Sequence, residues 1–214
     1  MTAARGRFIV LEGIEGAGKS TAMASVQSLL QGLGYRLEVT REPGGTDLGE
    51  SIRELLLTHR RDGMHDDTEA LLMFAARAEN LARRIRPALE RGDWILCDRF
   101  TDATYAYQGA GRGLSMERIA ALEQWVQGDL RPDLVLVLDV PADVGLARAA
   151  SRGGPADRFE SEQWEFFERV RACYLERAAQ SPERYRVVNT DQPIEQVRAD
   201  VELAVSGWLA EVGE

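Results

Sequence analysis

Lysine is almost absent from this chain. Of 26 lysines and arginines in 214 residues, one, Lys19, is a lysine. Arginine carries the positive charge everywhere else, so a position that keeps lysine has use for a compact ammonium on a flexible stem rather than a broad planar fork. Cysteine is scarce as well. Cys97 and Cys173 are too few for a disulfide framework and lack metal-ligand spacing. Cys97 lies inside an apolar run and reads as a small buried hydrophobe. No run of about 18 apolar residues occurs, so no membrane-spanning helix is expected. The segment Met1-Thr2-Ala3-Ala4-Arg5-Gly6-Arg7 lacks the apolar core of a signal peptide. The expected compartment is therefore the cytoplasm. A basic surface is lacking too. The net charge of −9 argues against a broad nucleic-acid interface. It leaves room for a nucleotide, whose phosphates a few local arginines can hold. With no internal repeat or low-complexity segment, one domain over residues 1–214 is expected.

What is present is an alternation of two patterns. Five short apolar runs read as buried strands: Phe8–Glu12, Leu37–Thr40, Trp94–Asp98, Leu134–Asp139 and Tyr185–Asn189. Most are apolar on both faces, as parallel strands covered by helices are. Helical patterns lie between them, over Lys19–Leu33, Leu48–His59, Thr68–Arg91, from Ser115, and over Ala142–Arg152, Ser161–Gln180 and Ile194–Glu211. Ser115 has Arg118 where a capping box would place Glu, so its cap is ordinary. The alternation predicts an α/β fold, a five-stranded parallel sheet flanked by helices. Ser151-Arg152-Gly153-Gly154-Pro155-Ala156 reads either as a surface loop or as a lid.

Lys19 closes the run Gly13-Ile14-Glu15-Gly16-Ala17-Gly18-Lys19-Ser20, which fits the phosphate-binding P-loop G-x-x-x-x-G-K-[ST]. The expected strand precedes it and the expected helix follows. Backbone N–H groups and the helix N-terminus make an anion site there, Lys19 reaches the terminal phosphates of a nucleoside triphosphate, and Ser20 helps hold Mg²⁺. Glu15 places a carboxylate inside this cradle. It is either a solvent-facing loop acid or an acid turned away toward a hydroxyl, which removes the conflict.

Other segments carry chemistry less specifically. Asp98-Arg99 follows a strand, where an acid faces the ligand crevice, and fits either a metal-side acid with a phosphate-binding arginine or a structural ion pair. Thr40-Arg41-Glu42-Pro43-Gly44-Gly45-Thr46 is a tight strand-to-helix turn that either approaches a ligand or only turns. On the long helix, Leu71, Phe74, Arg77, Ala78 and Leu81 share a face by spacing. Phe74 and Arg77 there are either a base-stacking pair or a core phenylalanine beside an arginine that reaches out to water. Thr104-Tyr105-Ala106-Tyr107-Gln108-Gly109 is either a base-reading set or a polar loop. Arg148, Arg152 and Arg158 flank the Gly-Gly-Pro stretch. The P-loop itself has no arginine, so charge on a transferred phosphoryl group must be met from elsewhere, as a closing lid would do.

Taken together, the runs Phe8–Thr21, Thr40–Thr46, Leu72–Arg77, Asp98-Arg99-Phe100, Ala106–Gly109 and Asp157-Arg158-Phe159-Glu160 resemble thymidylate kinase of the bacterial type, with arginines in the lid. The resemblance runs from Phe8 to about Asp191 and implies a P-loop nucleoside monophosphate kinase fold with a small lid over residues 148–160. It implies transfer of the ATP γ-phosphoryl group to dTMP, with Mg²⁺, in a homodimer packed partly through the long helix. Gly13, Ile14, Glu15, Gly16, Ala17, Gly18, Lys19, Ser20, Thr21 and Arg148 would lie on the ATP side, with Ser20 and Asp98 at the metal. Phe74 would stack on thymine, with Arg77, Thr104 and Gln108 around the base. Arg99, with Arg41 nearby, would hold the dTMP phosphate. Glu15 would meet the sugar hydroxyl and Tyr107 would lie against the sugar. Lys19, Arg99, Arg152 and Arg158 would serve catalysis. Ala103 and Ala110 depart from the family pattern, where serine and glycine are common. Another monophosphate kinase shares the P-loop and lid, but Phe74, Arg77, Thr104 and Gln108 favour a pyrimidine. A guanine-reading switch needs N-K-x-D and a second lysine, which the chain lacks.

Overall fold

In the computed structural model, which describes residues 5–151, 153 and 157–214, the five apolar runs form one sheet. The strands are β1 (Phe8–Glu12), β2 (Leu37–Arg41), β3 (Trp94–Asp98), β4 (Leu134–Asp139) and β5 (Tyr185–Asn189). Their order is β2-β3-β1-β4-β5 and every neighbouring pair is parallel. β1 is buried along its whole length, which is why it reads as unbroken apolar sequence, whereas β2 at one edge is only half covered. After β1 the chain crosses to one side for β2 and β3, then to the other for β4 and β5. The reversal opens a crevice at the carboxyl ends of β1 and β3. The P-loop leaves β1 there, and Asp98-Arg99 ends β3 there.

The helices are α1 (Lys19–Gly32), α2 (Asp47–Leu57), α3 (Asp66–Asn80), α4 (Arg86–Glu90), α5 (Thr101–Thr104), α6 (Met116–Gln127), α7 (Ala142–Ser151), α8 (Trp164–Gln180) and α9 (Ile194–Val212). Boundaries fall within a few residues of the periodic patterns. α2 starts at its Thr46 cap, whose hydroxyl accepts from Gly49 N at 3.0 Å. Ser115 makes no side-chain cap on α6; its hydroxyl turns to Glu117 instead. Among the described residues, no helix is long and apolar enough to cross a membrane.

Two features depart from the sequence reading. The long helix is interrupted by a π-helical stretch, Leu81–Ile85, between α3 and α4. Its buried face is also rotated from the one spacing suggests. Ala70, Phe74, Arg77 and Leu81 are buried, while Leu71 is 54% exposed. The polar run after β3 is helical, not a loop: α5 continues into a π-helical stretch, Tyr105–Gly111. Glycines 109 and 111 look like turn residues but serve close packing. A Cβ on Gly111 would sit 2.5 Å from the Phe166 ring of α8, and one on Gly109 2.8 Å from Met116 Sδ. Stretches of π-helix are frequent at functional sites, and the second one carries Tyr107 and Gln108 into the crevice.

Candidate active site

The P-loop is shaped by its glycines. Gly18 has φ +85° as the N-cap of α1, and a Cβ on Gly16 would lie 1.9 Å from the Gly145 carbonyl of α7. The first turn of α1 has neither a side-chain cap nor an acidic residue, so its positive end stays available to an anion. Lys19 Nζ donates to the carbonyls of Gly13 and Ile14, each at 2.9 Å. Burial, with Arg99 adding to it, pushes its ammonium down to about 8, against the opposing pull of Asp98, Glu15 and Glu12.

Glu15 turns out of the cradle. One oxygen takes Arg99 Nη2 at 2.8 Å and the other accepts from the Tyr107 hydroxyl at 2.6 Å. The carboxylate thus points to a hydroxyl, as its conflict with phosphate requires. Burial pushes the Tyr107 hydroxyl well up, which keeps its proton on as the donor to Glu15. Arg99 lies over the Tyr107 ring, 4.7 Å from its centroid.

Arg77 does not reach out to water. It is 2% exposed, and its Nε meets Glu42 Oε2 at 2.7 Å. Nη2 donates to Phe100 O and Thr104 Oγ1, both at 3.0 Å, while Nη1 is buried without a protein partner. The Phe74 and Phe100 rings lie 4.6 and 5.1 Å from its guanidinium carbon. Glu42 is itself buried, and burial raises its carboxyl above the usual range even beside Arg77. Thus α3, the β2–α2 turn and the segment after β3 meet on one guanidinium.

These parts enclose a cavity of about 440 Å³. Glu15, Gly16, Gly18, Lys19, Ser20, Thr21 and Arg148 line it, together with Arg77, Asp98, Arg99, Thr104, Tyr107 and Gln108. One cavity lined by both a phosphate cradle and a buried arginine suits two nucleotides meeting at their phosphates.

Comparison with known proteins agrees. The sequence model of thymidylate kinase matches residues 11–201. The chain belongs to the thymidylate kinase family. A thymidylate kinase of Alkalilimnicola ehrlichii is 60% identical over 210 residues, 96% of this chain and 97% of that one. One of Pseudomonas putida is 60% identical over 204 residues, 95% and 97% of the two chains. The crystal structure of thymidylate kinase from Ehrlichia chaffeensis superposes with a TM-score of 0.76 at 31% identity, covering 94% of this chain and 99% of that one. The fold is accordingly the P-loop monophosphate kinase fold of this family, with its five-stranded parallel sheet.

Several residues singled out in the sequence lie away from the cavity wall. Arg41 is half-exposed and bound to Glu50 at 2.7 Å. Phe74 is 2% exposed, packed in the core beside Arg77. Gly13, Ile14 and Ala17 are buried within the P-loop. Arg158 contacts Glu69 at 2.5 Å, off the hydrogen-bond direction, and its Nε donates to Leu56 O at 2.9 Å. It is thereby drawn to the α2–α3 side rather than to Lys19. Arg152 lies outside the described residues. Ala103 lines the cavity and offers no hydroxyl.

Other residues come to light only in three dimensions. Arg53 of α2 lines the cavity, donates to Pro43 O at 3.1 Å, and is pushed down by burial, with Arg41 and Arg99 adding to the shift. Like charge gathered there is relieved by an anion. Glu69 is fully buried and accepts from Gln108 Nε2 at 2.7 Å, fixing that amide. No local pattern separates Arg53 or Glu69 from the other charges on their helices. For a metal, Asp98 Oδ1 is buried without a hydrogen-bond partner, and Asp98 and Ser20 both line the cavity. Among the described residues no cluster of three or more acidic, histidine or cysteine side chains could hold an ion. A single carboxylate and a hydroxyl fit Mg²⁺, which relies mainly on phosphate oxygens and water.

Proposed function

We propose that this protein transfers the γ-phosphoryl group of ATP to dTMP, giving dTDP and ADP and feeding dTTP to DNA synthesis. The observation that carries the acceptor is Arg77 Nη1, a buried donor without a protein partner on a guanidinium otherwise fully engaged. A thymine carbonyl satisfies it, whereas the exocyclic amine of cytosine turns a donor onto a donor. Thr104, bonded to Arg77, and Gln108 line the same cavity. Arg99, with Arg53, binds the dTMP phosphate, while Glu15 and Tyr107 face the sugar. The P-loop amides, Lys19 and Thr21 hold the ATP phosphates, and Arg148, which also lines the cavity, serves the ATP side.

The acceptor atom is already an ionised phosphate oxygen, so no strong base is needed. The residues bring two anionic groups together and meet the charge between them. Mg²⁺ bound with ATP, held by Ser20 and Asp98, would screen the same charge. The protein is further proposed to act in the cytoplasm as a homodimer. Half-exposed Leu48 and Leu55 on α2 and Leu71 on α3 support burial against a second copy.

Coupled measurement of ADP release with dTMP, dCMP and AMP tests the acceptor. Turnover with dTMP is expected to exceed that with dCMP or AMP by roughly 10²-fold or more, because a wrong base leaves Arg77 unpaired. Equal turnover with AMP, or release without any acceptor, would overturn the reading.

Lys19 offers a second check. Its ammonium is pushed down to about 8, well below an ordinary lysine. An amine-reactive reagent is expected to modify Lys19 and the α-amino group alone. Peptide mapping should show the Lys19 rate rising through pH about 8, and MgATP should protect Lys19 while sparing the terminus. A midpoint above pH about 10, or no protection, would contradict the assignment.

A further inference from the structure

Glu12, the last residue of β1, is fully buried and takes no part in the roles above. Its two oxygens both lead to Arg99. Oε1 accepts from the backbone N–H of Phe100 at 2.7 Å, the residue after Arg99. Oε2 accepts from the hydroxyl of Tyr174 on α8 at 2.9 Å, and Arg99 Nη1 donates to that same hydroxyl at 3.2 Å. Arg99 itself has φ +66°, the one described non-glycine residue with positive φ. Such a backbone is unfavourable for a residue with a Cβ and persists only where the surroundings enforce it. Two bonds from β1 enforce it here: Arg99 N to Leu11 O at 2.9 Å, and Phe100 N to Glu12. The turn sends the guanidinium back over Tyr107 to Glu15 instead of onward along the strand direction.

We infer that Glu12 and Tyr174 are positioning residues for Arg99, clamping its backbone from one carboxylate oxygen and its guanidinium, through the Tyr174 hydroxyl, from the other. Neither touches the substrates. The pair sets where the acceptor phosphate sits relative to the P-loop, so its loss shows in the acceptor and not in ATP. The inference rests on Arg99 binding the dTMP phosphate.

The experiment measures KM for dTMP and for MgATP in Tyr174→Phe, Glu12→Gln, Arg99→Ala and the Tyr174→Phe/Arg99→Ala double variant. Tyr174→Phe removes only the linking hydroxyl and keeps the ring in the core, so it folds even where Glu12→Gln does not. It is expected to raise the dTMP KM roughly 5- to 10-fold, the worth of one hydrogen bond, with the ATP KM within about twofold. The double variant should be no worse than Arg99→Ala alone, since residues acting through one another are not additive. An unchanged dTMP KM in Tyr174→Phe, parallel rises in both KM values, or full additivity would overturn the inference. If Arg99→Ala raises the dTMP KM and Tyr174→Phe does not, only the positioning role falls. If Arg99→Ala leaves it unchanged, the phosphate role of Arg99 falls, and the positioning role with it.

Discussion

Replacing Lys19 with arginine, the cation this chain uses at every other basic position, is expected to reduce turnover almost as severely as replacing it with alanine. Lys19 Nζ sits between two carbonyl oxygens 2.9 Å away, inside the loop that opens α1. A single ammonium satisfies both carbonyls and keeps a third proton for a phosphate oxygen. A guanidinium is wider, planar and fixed in its fork, so it either displaces the loop or points past the phosphates. Loss of one preorganised donor at the developing charge reduces turnover by roughly 10²- to 10³-fold. Steady-state kinetics of Lys19→Arg and Lys19→Ala, with folding checked by circular dichroism, measure this. Lys19→Arg turnover within about tenfold of the parent would mean that charge alone suffices there, since one preorganised donor is worth more.

Arg77→Met is expected to cost both stability and acceptor binding, and the two losses can be separated. The substitution leaves Glu42, 4% exposed, without its ion-pair partner at 2.7 Å. Removing one member of a buried pair costs about 3–5 kcal/mol, because the remaining charge stays desolvated. At about 2–4 °C per kcal/mol for a domain of this size, Tm falls by roughly 10 °C. Glu42→Gln/Arg77→Met removes the stranded charge and should recover most of that fall. It should not recover dTMP binding, because Nη1 is gone in both variants. Calorimetry and the dTMP KM of the two variants provide the check. A double variant as unstable as the single one would locate the damage in packing around Phe74 and Phe100. An unchanged dTMP KM would remove Arg77 from base recognition.

These two residues differ in how far the sequence reveals them. Lys19 stands in a contiguous motif whose geometry is local, with neighbouring glycines, the strand before it and the helix after it all within a few residues. Arg77 shows locally only as a charge in an apolar stripe, and a charge in a stripe can equally reach out to water. Its partner Glu42 lies 35 positions away, in a turn whose sequence says turn and nothing about a carboxylate. The polar run after β3 shows the converse difficulty. Its glycines carry a turn signal, yet Gly111 faces the Phe166 ring of α8, more than fifty positions later. Arg158 is similar, since its contact is Glu69 on α3 rather than the phosphate side.

The sequence by itself determined the five strands, the P-loop and its single lysine, and the family, because burial pattern and backbone geometry are written in adjacent residues. The tertiary structure alone decided which carboxylate the arginines around the cavity meet. That choice depends on distance and desolvation at the carboxyl ends of the sheet, where residues remote in the chain converge. It binds Arg77 to Glu42 and Arg41 to Glu50, and sets Arg53 beside Arg99 at the cavity. It also turns Glu12, which ends a buried strand, into the support behind Arg99.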